Sequence, residues 1–412
     1  MAYLPRMIEK NLIDAVAHFP VVVLTGARQT GKSTLLQETF GASFTYLSLD
    51  DLTLRAQAKR DPQLLLKNFP GDLIVDEVQY APELFPAIKL SVDRKEKRRF
   101  IITGSQQFNL IRGLKESLAG RALLLQLHPM TLAERHGKGA VAPWLTDLLA
   151  GGTPPRAADR FVIDDPAQEL LNGGLPGMIE KPERFRAGYL DSYVKTYVER
   201  DVPEMYAGAE PVHLASFLKL LAPLSGQLLN KSHLGRELGI SSPTANRWLE
   251  WLHAGHIWTS LAPYTGNAIK RLVKTPKGCL FDSALICHLL QIGSREGLLT
   301  HPALGAIFES RVIQDVRAVL SSSLLPAEMY HWRTSAGTEV DIVIETGGYL
   351  YGFECKWRMD VKRNELRGLK AFRETYGEKV RFTGVITPAG DAMELEKGIF
   401  RVPLMQARGT AR

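Results

Sequence analysis

Short runs of consecutive apolar residues dominate the first third of the chain, each closing on small or polar residues. Runs at 21–25 (VVVLT), 73–76 (LIVD), 99–103 (RFIIT) and 122–127 (ALLLQL), with a weaker one at 44–48 (FTYLS), predict five strands. Stretches of helical spacing separate them, and that alternation implies a parallel sheet with crossover helices. From 136 to 160, Gly, Ala and Pro displace the periodicity (GKGAVAP, AGGTPPRAAD), which predicts a linker. Helical spacing returns over 165–224, in LDSYVKTYVERDV and HLASFLKLLAPL. Residues 227–280 read as a helix-turn-helix followed by strands at 257–263 and 271–281, and 302–412 alternates strand and helix again. The division that follows is an α/β core (1–135), a linker (136–165), a helical segment (166–225), a helix-turn-helix unit with two strands (226–290) and a second α/β module (300–412). No repeat of 20–50 residues is visible, which excludes solenoids and propellers.

The first strand runs directly into GARQTGKST, the pattern G-x-x-x-x-G-K-[ST] between a strand and a helix. Gly26 and Gly31 permit a tight loop in which backbone N–H groups of Gly26, Ala27, Arg28, Gln29, Thr30 and Gly31 face phosphate oxygens, helped by the helix dipole. Lys32 is expected to reach the β- and γ-phosphates of ATP, Ser33 to ligate Mg2+, and Thr34 to hydrogen-bond the α-phosphate. In LIVDEVQY a buried strand ends on two carboxylates at the edge where open α/β sheets bind ligands. Asp76 suits the metal, and Glu77 suits polarising the attacking water. The next strand ends in Ser105 and Gln106, placed to lie beside the γ-phosphate or simply to form a polar turn. Arg121, in SLAGRA, suits an arginine finger acting across a subunit boundary, or a surface ion pair.

Within SHLGRELGISSPTANRWLEWLHAG, Gly239 makes the turn and Ser241 or Ser242 caps the second helix. Asn246 and Arg247 lie where such a helix enters a major groove. Between 226 and 278 the basic residues Lys231, Arg236, Arg247, Lys270, Arg271, Lys274 and Lys277 face only Glu237 and Glu250, an excess of five positive charges. This predicts a winged helix touching phosphate backbone through a basic wing. Winged helices also dock proteins, so a protein partner stays open.

In TEVDIVIETGGYLYGFECKW two apolar strands form a hairpin around 347–348. Alternation puts Glu354 and Lys356 on one face and Cys355 on the other. Glu309 lies in an upstream helix, AIFESRVIQDVRAVL, able to pack against the hairpin.

GARQTGKST, LIVDEVQY, FIITGSQQF, SLAGRA, NGGLPGMIE and DSYVKTYVERDV together resemble a prokaryotic AAA-type ATPase family with a C-terminal domain of unknown function, number 4143. The resemblance implies an AAA+ core and homo-oligomers, often rings. The tail, D-x12-E-x-K, resembles the PD-(D/E)XK nuclease superfamily. By that resemblance Asp341 and Glu354 would bind Mg2+, Lys356 would orient the hydrolytic water, and Glu309 would support from its helix. No proline precedes Asp341. The fold class expected is α/β: a P-loop AAA+ parallel-sheet ATPase core, a helical lid, a winged helix and a C-terminal α/β restriction-endonuclease-like domain.

Composition adds little to this. The 412 residues are 45% hydrophobic and 23% charged, ordinary for a globular protein. The net charge of +7 favours polyanionic partners such as DNA. No apolar run approaches the ~20 residues that cross a bilayer. Cys279, Cys287 and Cys355 lack any paired spacing, so neither disulfides nor zinc are expected, and a cytoplasmic setting is. The function predicted is an ATP-dependent DNA-processing protein, an ATPase whose hydrolysis is coupled to DNA binding or remodelling, with metal-dependent DNA cleavage by the tail left open. Two alternatives stand beside it: a non-cleaving DNA-binding switch, and a signalling or toxin-regulating NTPase with a protein partner.

Overall fold

The computed structural model describes residues 3–104, 118–140, 144–152, 162–197, 211–266, 275–404 and 406–407. The first five strands are β1 (Val21–Thr25), β2 (Thr45–Ser48), β3 (Leu73–Asp76), β4 (Phe100–Gly104) and β5 (Ala122–Gln126). They form one sheet in the order β2-β3-β4-β1-β5, every pairing parallel. Every residue of β1, β3 and β4 is buried, as the uninterrupted apolar runs require of a sheet covered on both faces. One face packs Val21, Val23, Val75 and Ile102; the other packs Val22, Leu24, Ile74 and Ile101. The loop after β1 leads into the helix Lys32–Phe40 at the C-terminal rim of the sheet.

Helices Pro166–Asn172 and Glu183–Thr196 lie beyond the core; the two-residue strand β6 (Val162–Ile163) precedes them. Helices Pro211–Leu221, Lys231–Glu237 and Ser242–Ala254, with β7 (Gln227–Leu228), β8 (Trp258–Pro263) and β9 (Lys277–Leu280), build the winged helix. The Ser241 hydroxyl caps Ser242–Ala254 by accepting the Thr244 N–H. After the helix Leu304–Ser323 come β10 (Ala327–Arg333), β11 (Glu339–Thr346), β12 (Tyr349–Cys355), β13 (Val380–Thr387), β14 (Met393–Glu396), β15 (Ile399–Pro403) and β16 (Gln406–Ala407). The winged-helix strands and the tail strands are continuous, in a nine-stranded sheet ordered β14-β15-β13-β12-β11-β10-β8-β9-β7. The junction is parallel, with Tyr330 opposite Ala262 and His331 opposite Pro263. One apolar core, reaching from Ala27 to Val402, runs through the lid, the winged helix and the tail.

The expected linker is not all loop. Trp144–Leu149 is a helix that buries Leu145, Leu148 and Leu149, and Trp144 meets Phe353 of β12 edge-on at 6.1 Å. The spacing of those leucines is helical, and their burial outweighs the flanking Gly, Ala and Pro. Similarly, the strand expected over 271–281 is seen as Lys277–Leu280; residues 271–274 lie outside the described residues.

Candidate functional site

The loop 26–31 is folded around its own lysine. Lys32 is buried, and its Nζ donates to the carbonyl oxygens of Gly26 and Ala27, each at 2.9 Å. Gly26 has φ +146°, and a Cβ there would lie 2.1 Å from the Leu127 carbonyl oxygen, so only glycine fits. Ala27 and Thr30 are buried, Arg28, Gly31 and Ser33 half-buried, and Gln29 and Thr34 exposed. Ser33 Oγ donates to Asp76 Oδ2 at 2.7 Å. Tyr46 donates to the same oxygen, and the Glu77 N–H donates to Oδ1 at 3.0 Å. A hydroxyl and a carboxylate paired beside a lysine make the oxygen-donor set that magnesium favours, so Ser33 and Asp76 fit that ion. Glu77 sits at φ +56°, a conformation that costs a non-glycine residue energy and is retained where position matters. Burial pushes its carboxyl above the usual range, with the Lys32 charge opposing. A raised carboxyl of this kind suits a base working near neutral pH.

Ser105, Lys270, Arg271 and Lys274 lie outside the described residues, and the Lys231 side chain does too. Arg121 pairs with Asp93 at 2.6 Å. The register of β1 with β5 sets Val21 opposite Ala122. Arg121 is therefore at the N-terminal rim, about 17 Å along the strands from its own loop. It cannot serve the phosphates of its own chain.

Sequence reasoning missed three further residues at this site: Arg6, Glu134 and His256. Arg6 crosses to the loop, donating to the Thr30 carbonyl at 2.8 Å and the His128 carbonyl at 2.7 Å, and is held by buried Glu134 at 3.1 Å. Glu134 also completes a capping box with Thr131, and T-x-x-E was readable as such. His256, just after the helix Ser242–Ala254, meets Thr25 Oγ1 through Nε2 at 3.0 Å and the Gln126 amide nitrogen through Nδ1 at 2.9 Å. Because that amide donates into Nδ1, the neutral ring carries its proton on Nε2. Burial, then the Lys32 charge, pushes this imidazole down to about 3. The winged helix thus bonds directly to the residue before Gly26. A cavity of about 230 Å3 lies beside this contact, between Ala27, His253, His256 and Arg317.

In the winged helix, Arg236 and Arg247 are exposed and Asn246 half-buried. Lys277 corrects the expectation of a basic surface contact. It is 4% exposed, and its Nζ lies 2.6 Å from Glu309 Oε1 and 3.0 Å from Asp341 Oδ1. A lysine in the fully buried strand β9 must find carboxylates, and these are the tail's.

The tail cluster is assembled, and each of its three carboxyl groups has at least one oxygen engaged. Asp341 Oδ2 accepts the Cys355 N–H at 2.9 Å. Glu354 Oε2 accepts Lys356 Nζ at 2.7 Å. Burial raises the Glu309 carboxyl to about 8, with the Asp341 charge adding to it. Burial and Asp341 likewise hold Glu354 well above the carboxylate range. For Asp341 burial opposes ionisation, yet Lys277 and Lys356 outweigh it and hold the carboxyl low. Among the described residues, no three His, Cys, Asp or Glu side chains gather so as to hold a metal ion. The donor set at Asp341 and Glu354 does not fit Mg2+, because a buried ammonium already lies against it.

Comparison with known proteins matches three stretches of the chain. A family model described as AAA domain matches residues 18–136. Models of two domains of unknown function match 163–296 (DUF8612) and 304–407 (DUF4143). Uncharacterized protein Rv2008c of Mycobacterium tuberculosis and uncharacterized protein Mb2031c of Mycobacterium bovis are each 33% identical over 348 residues, spanning 84% of this chain and 72% of theirs. Among solved structures, the Walker-type ATPase PABY2304 of Pyrococcus abyssi superposes with a TM-score of 0.45 at 18% identity, over 69% of this chain and 98% of that one. The Holliday junction branch migration motor RuvB of Thermotoga maritima gives 0.31 at 16% identity, over 64% and 93%. Among the described residues no helix is long and apolar enough to cross a membrane.

Proposed function

Because the chain belongs to the AAA-type P-loop ATPase family that carries a C-terminal DUF4143 domain, we propose that it uses ATP hydrolysis to control binding of DNA by its winged helix. The observation that carries this reading is the His256 contact with Thr25 and Gln126, which joins the winged helix to the residue preceding the phosphate loop. Lys32 leaves the Gly26 and Ala27 carbonyls for the β- and γ-phosphates of ATP. Ser33 and Asp76 would hold magnesium, which would neutralise phosphate charge. Glu77 accepts the proton of the attacking water. Loop 26–31 changes as its lysine is recruited, and strand-end Thr25 passes the change to His256 and the helix Ser242–Ala254. P-loop proteins commonly couple phosphate contacts to movement in this way.

Exposed Arg236 and Arg247 on the helix-turn-helix support DNA as the ligand, since guanidinium groups there meet phosphates or base edges. Arg121, paired with Asp93 at the opposite rim of the sheet, gives the homo-oligomer no support. Cleavage is not part of this proposal, given how the tail carboxylates are engaged.

The test is ATP turnover and duplex binding by the full chain, measured together against salt and by native mass with and without nucleotide. Salt-sensitive binding whose affinity differs between the ATP and ADP states supports the reading. Binding indifferent to nucleotide, or none, rejects it and favours a protein partner for the winged helix. Magnesium-dependent DNA cleavage lost in Asp341→Ala would restore the nuclease.

A further inference from the structure

The tail resembles a nuclease in three of its carboxylates and in Lys356, yet the cluster contains a second lysine that the nuclease pattern does not call for. It comes from the winged helix. Lys277 enters from β9, is buried, and places Nζ between Glu309 Oε1 at 2.6 Å and Asp341 Oδ1 at 3.0 Å. The other Asp341 oxygen is taken by the Cys355 N–H, and Glu354 Oε2 by Lys356. Nor is there slack around Glu354. The helix Arg367–Tyr376 lies so close that a Cβ on Gly368 would stand 2.4 Å from Glu354 Oε1 and 2.0 Å from the Glu339 carbonyl.

Magnesium needs about six oxygen ligands at about 2.0–2.1 Å, usually several of them water. Here a fixed positive charge lies within hydrogen-bond distance of the Asp341 carboxylate itself, and the helix Arg367–Tyr376 stands close beside Glu354. We propose that Lys277 is a tethered cation standing where a nuclease of this pattern would hold its metal. The folded chain accordingly takes no divalent ion at Asp341 and Glu354. In place of catalysis the cluster ties three elements together: β9 of the winged helix, the helix Leu304–Ser323 and the hairpin β11–β12. This inference is independent of whether the winged helix binds DNA, because it concerns the ion and not the ligand.

Manganese is the probe, titrated into full-length, nucleotide-free protein and read by electron paramagnetic resonance. Wild type, Asp341→Asn and Glu354→Gln should bind it alike, within about twofold. Lys277→Met should gain one ion per chain, with at least a tenfold rise in affinity, and Lys277→Met/Asp341→Asn should lose it again. Lys277→Arg keeps a cation and should gain nothing. Manganese bound tenfold more tightly by wild type than by Asp341→Asn and Glu354→Gln would overturn the proposal, since the metal would then be displacing the lysine. A folded Lys277→Met that gains no ion would also overturn it. Should Lys277→Met fail to fold, the comparison of wild type with Glu354→Gln still decides the matter.

Discussion

Two lysines beside carboxylates serve this chain in opposite ways. Lys32 lies 2.9 Å from two backbone carbonyls, while the nearby Asp76 is satisfied by the hydroxyls of Ser33 and Tyr46. Lys277 lies directly against two carboxylates, Glu309 and Asp341. A carbonyl is a neutral partner, and a phosphate outcompetes it easily. A buried carboxylate is a charged partner, and separating it from its lysine leaves two uncompensated charges. The first arrangement gives the cation neutral partners that a phosphate can displace, and the second gives it charged ones. On the readings proposed above, similar residue types give a binding site in the core and a structural joint in the tail.

That contrast can be broken in four ways. Glu77→Gln should lower kcat for ATP by about 10²–10⁴-fold while leaving nucleotide affinity within a few-fold, measured by steady-state turnover and calorimetry. Lys32→Ala should cost about 10²–10³-fold in turnover by removing a charge that meets the transferring phosphate. Its stability should fall by about 1–3 kcal/mol, since two carbonyls lose a donor. Lys277→Ala should do the reverse: ATP turnover is little affected, but denaturant unfolding loses about 3–5 kcal/mol, the cost of leaving a buried charge unpaired. Equal stability losses in the two lysine variants would erase the distinction.

The smallest effect concerns His256. Its folded-state value of about 3 lies below the ordinary 6.5, so the unfolded chain binds the proton first. Its contribution is fully present above pH 6.5 and falls as pH drops from 6.5 toward 3, by about 1.4 kcal/mol per unit. Glu309 works against this, because its raised value of about 8 stabilises the fold increasingly as pH falls from 8 to the ordinary 4.5. The difference between His256→Gln and wild type cancels the Glu309 term. Melting temperatures at pH 7 and pH 5 should therefore show a shallower acid loss in His256→Gln. Parallel curves would mean that His256 does not carry the neutral contact described for it.

What could be read in advance was whatever is local. The run VVVLT, the glycine loop and LIVD are each decided by neighbours along the chain, and strands β1 and β3 stand where the apolar runs put them. The chemistry carried by distant pairs was not legible. Lys277 meets partners 32 and 64 positions away, and no spacing rule joins them. A signal was nonetheless present: a lone lysine beginning the apolar strand KGCL cannot stay solvated if the strand is buried. His256 and Thr25 are 231 positions apart, and nothing near either residue in the sequence announces the other. In 144–149, composition argued for a loop, whereas the leucine spacing argued correctly for a helix.

The seam between β8 and β10 bears on how this chain can be taken apart. Separating the chain near residue 300 would part β8 from β10, leaving β8 with β9 alone and unpaired backbone groups on each fragment. Such margins recruit strands from other molecules. Separately expressed halves should precipitate alone and stay in solution when produced together, so evolution would find it hard to trade either half away by itself.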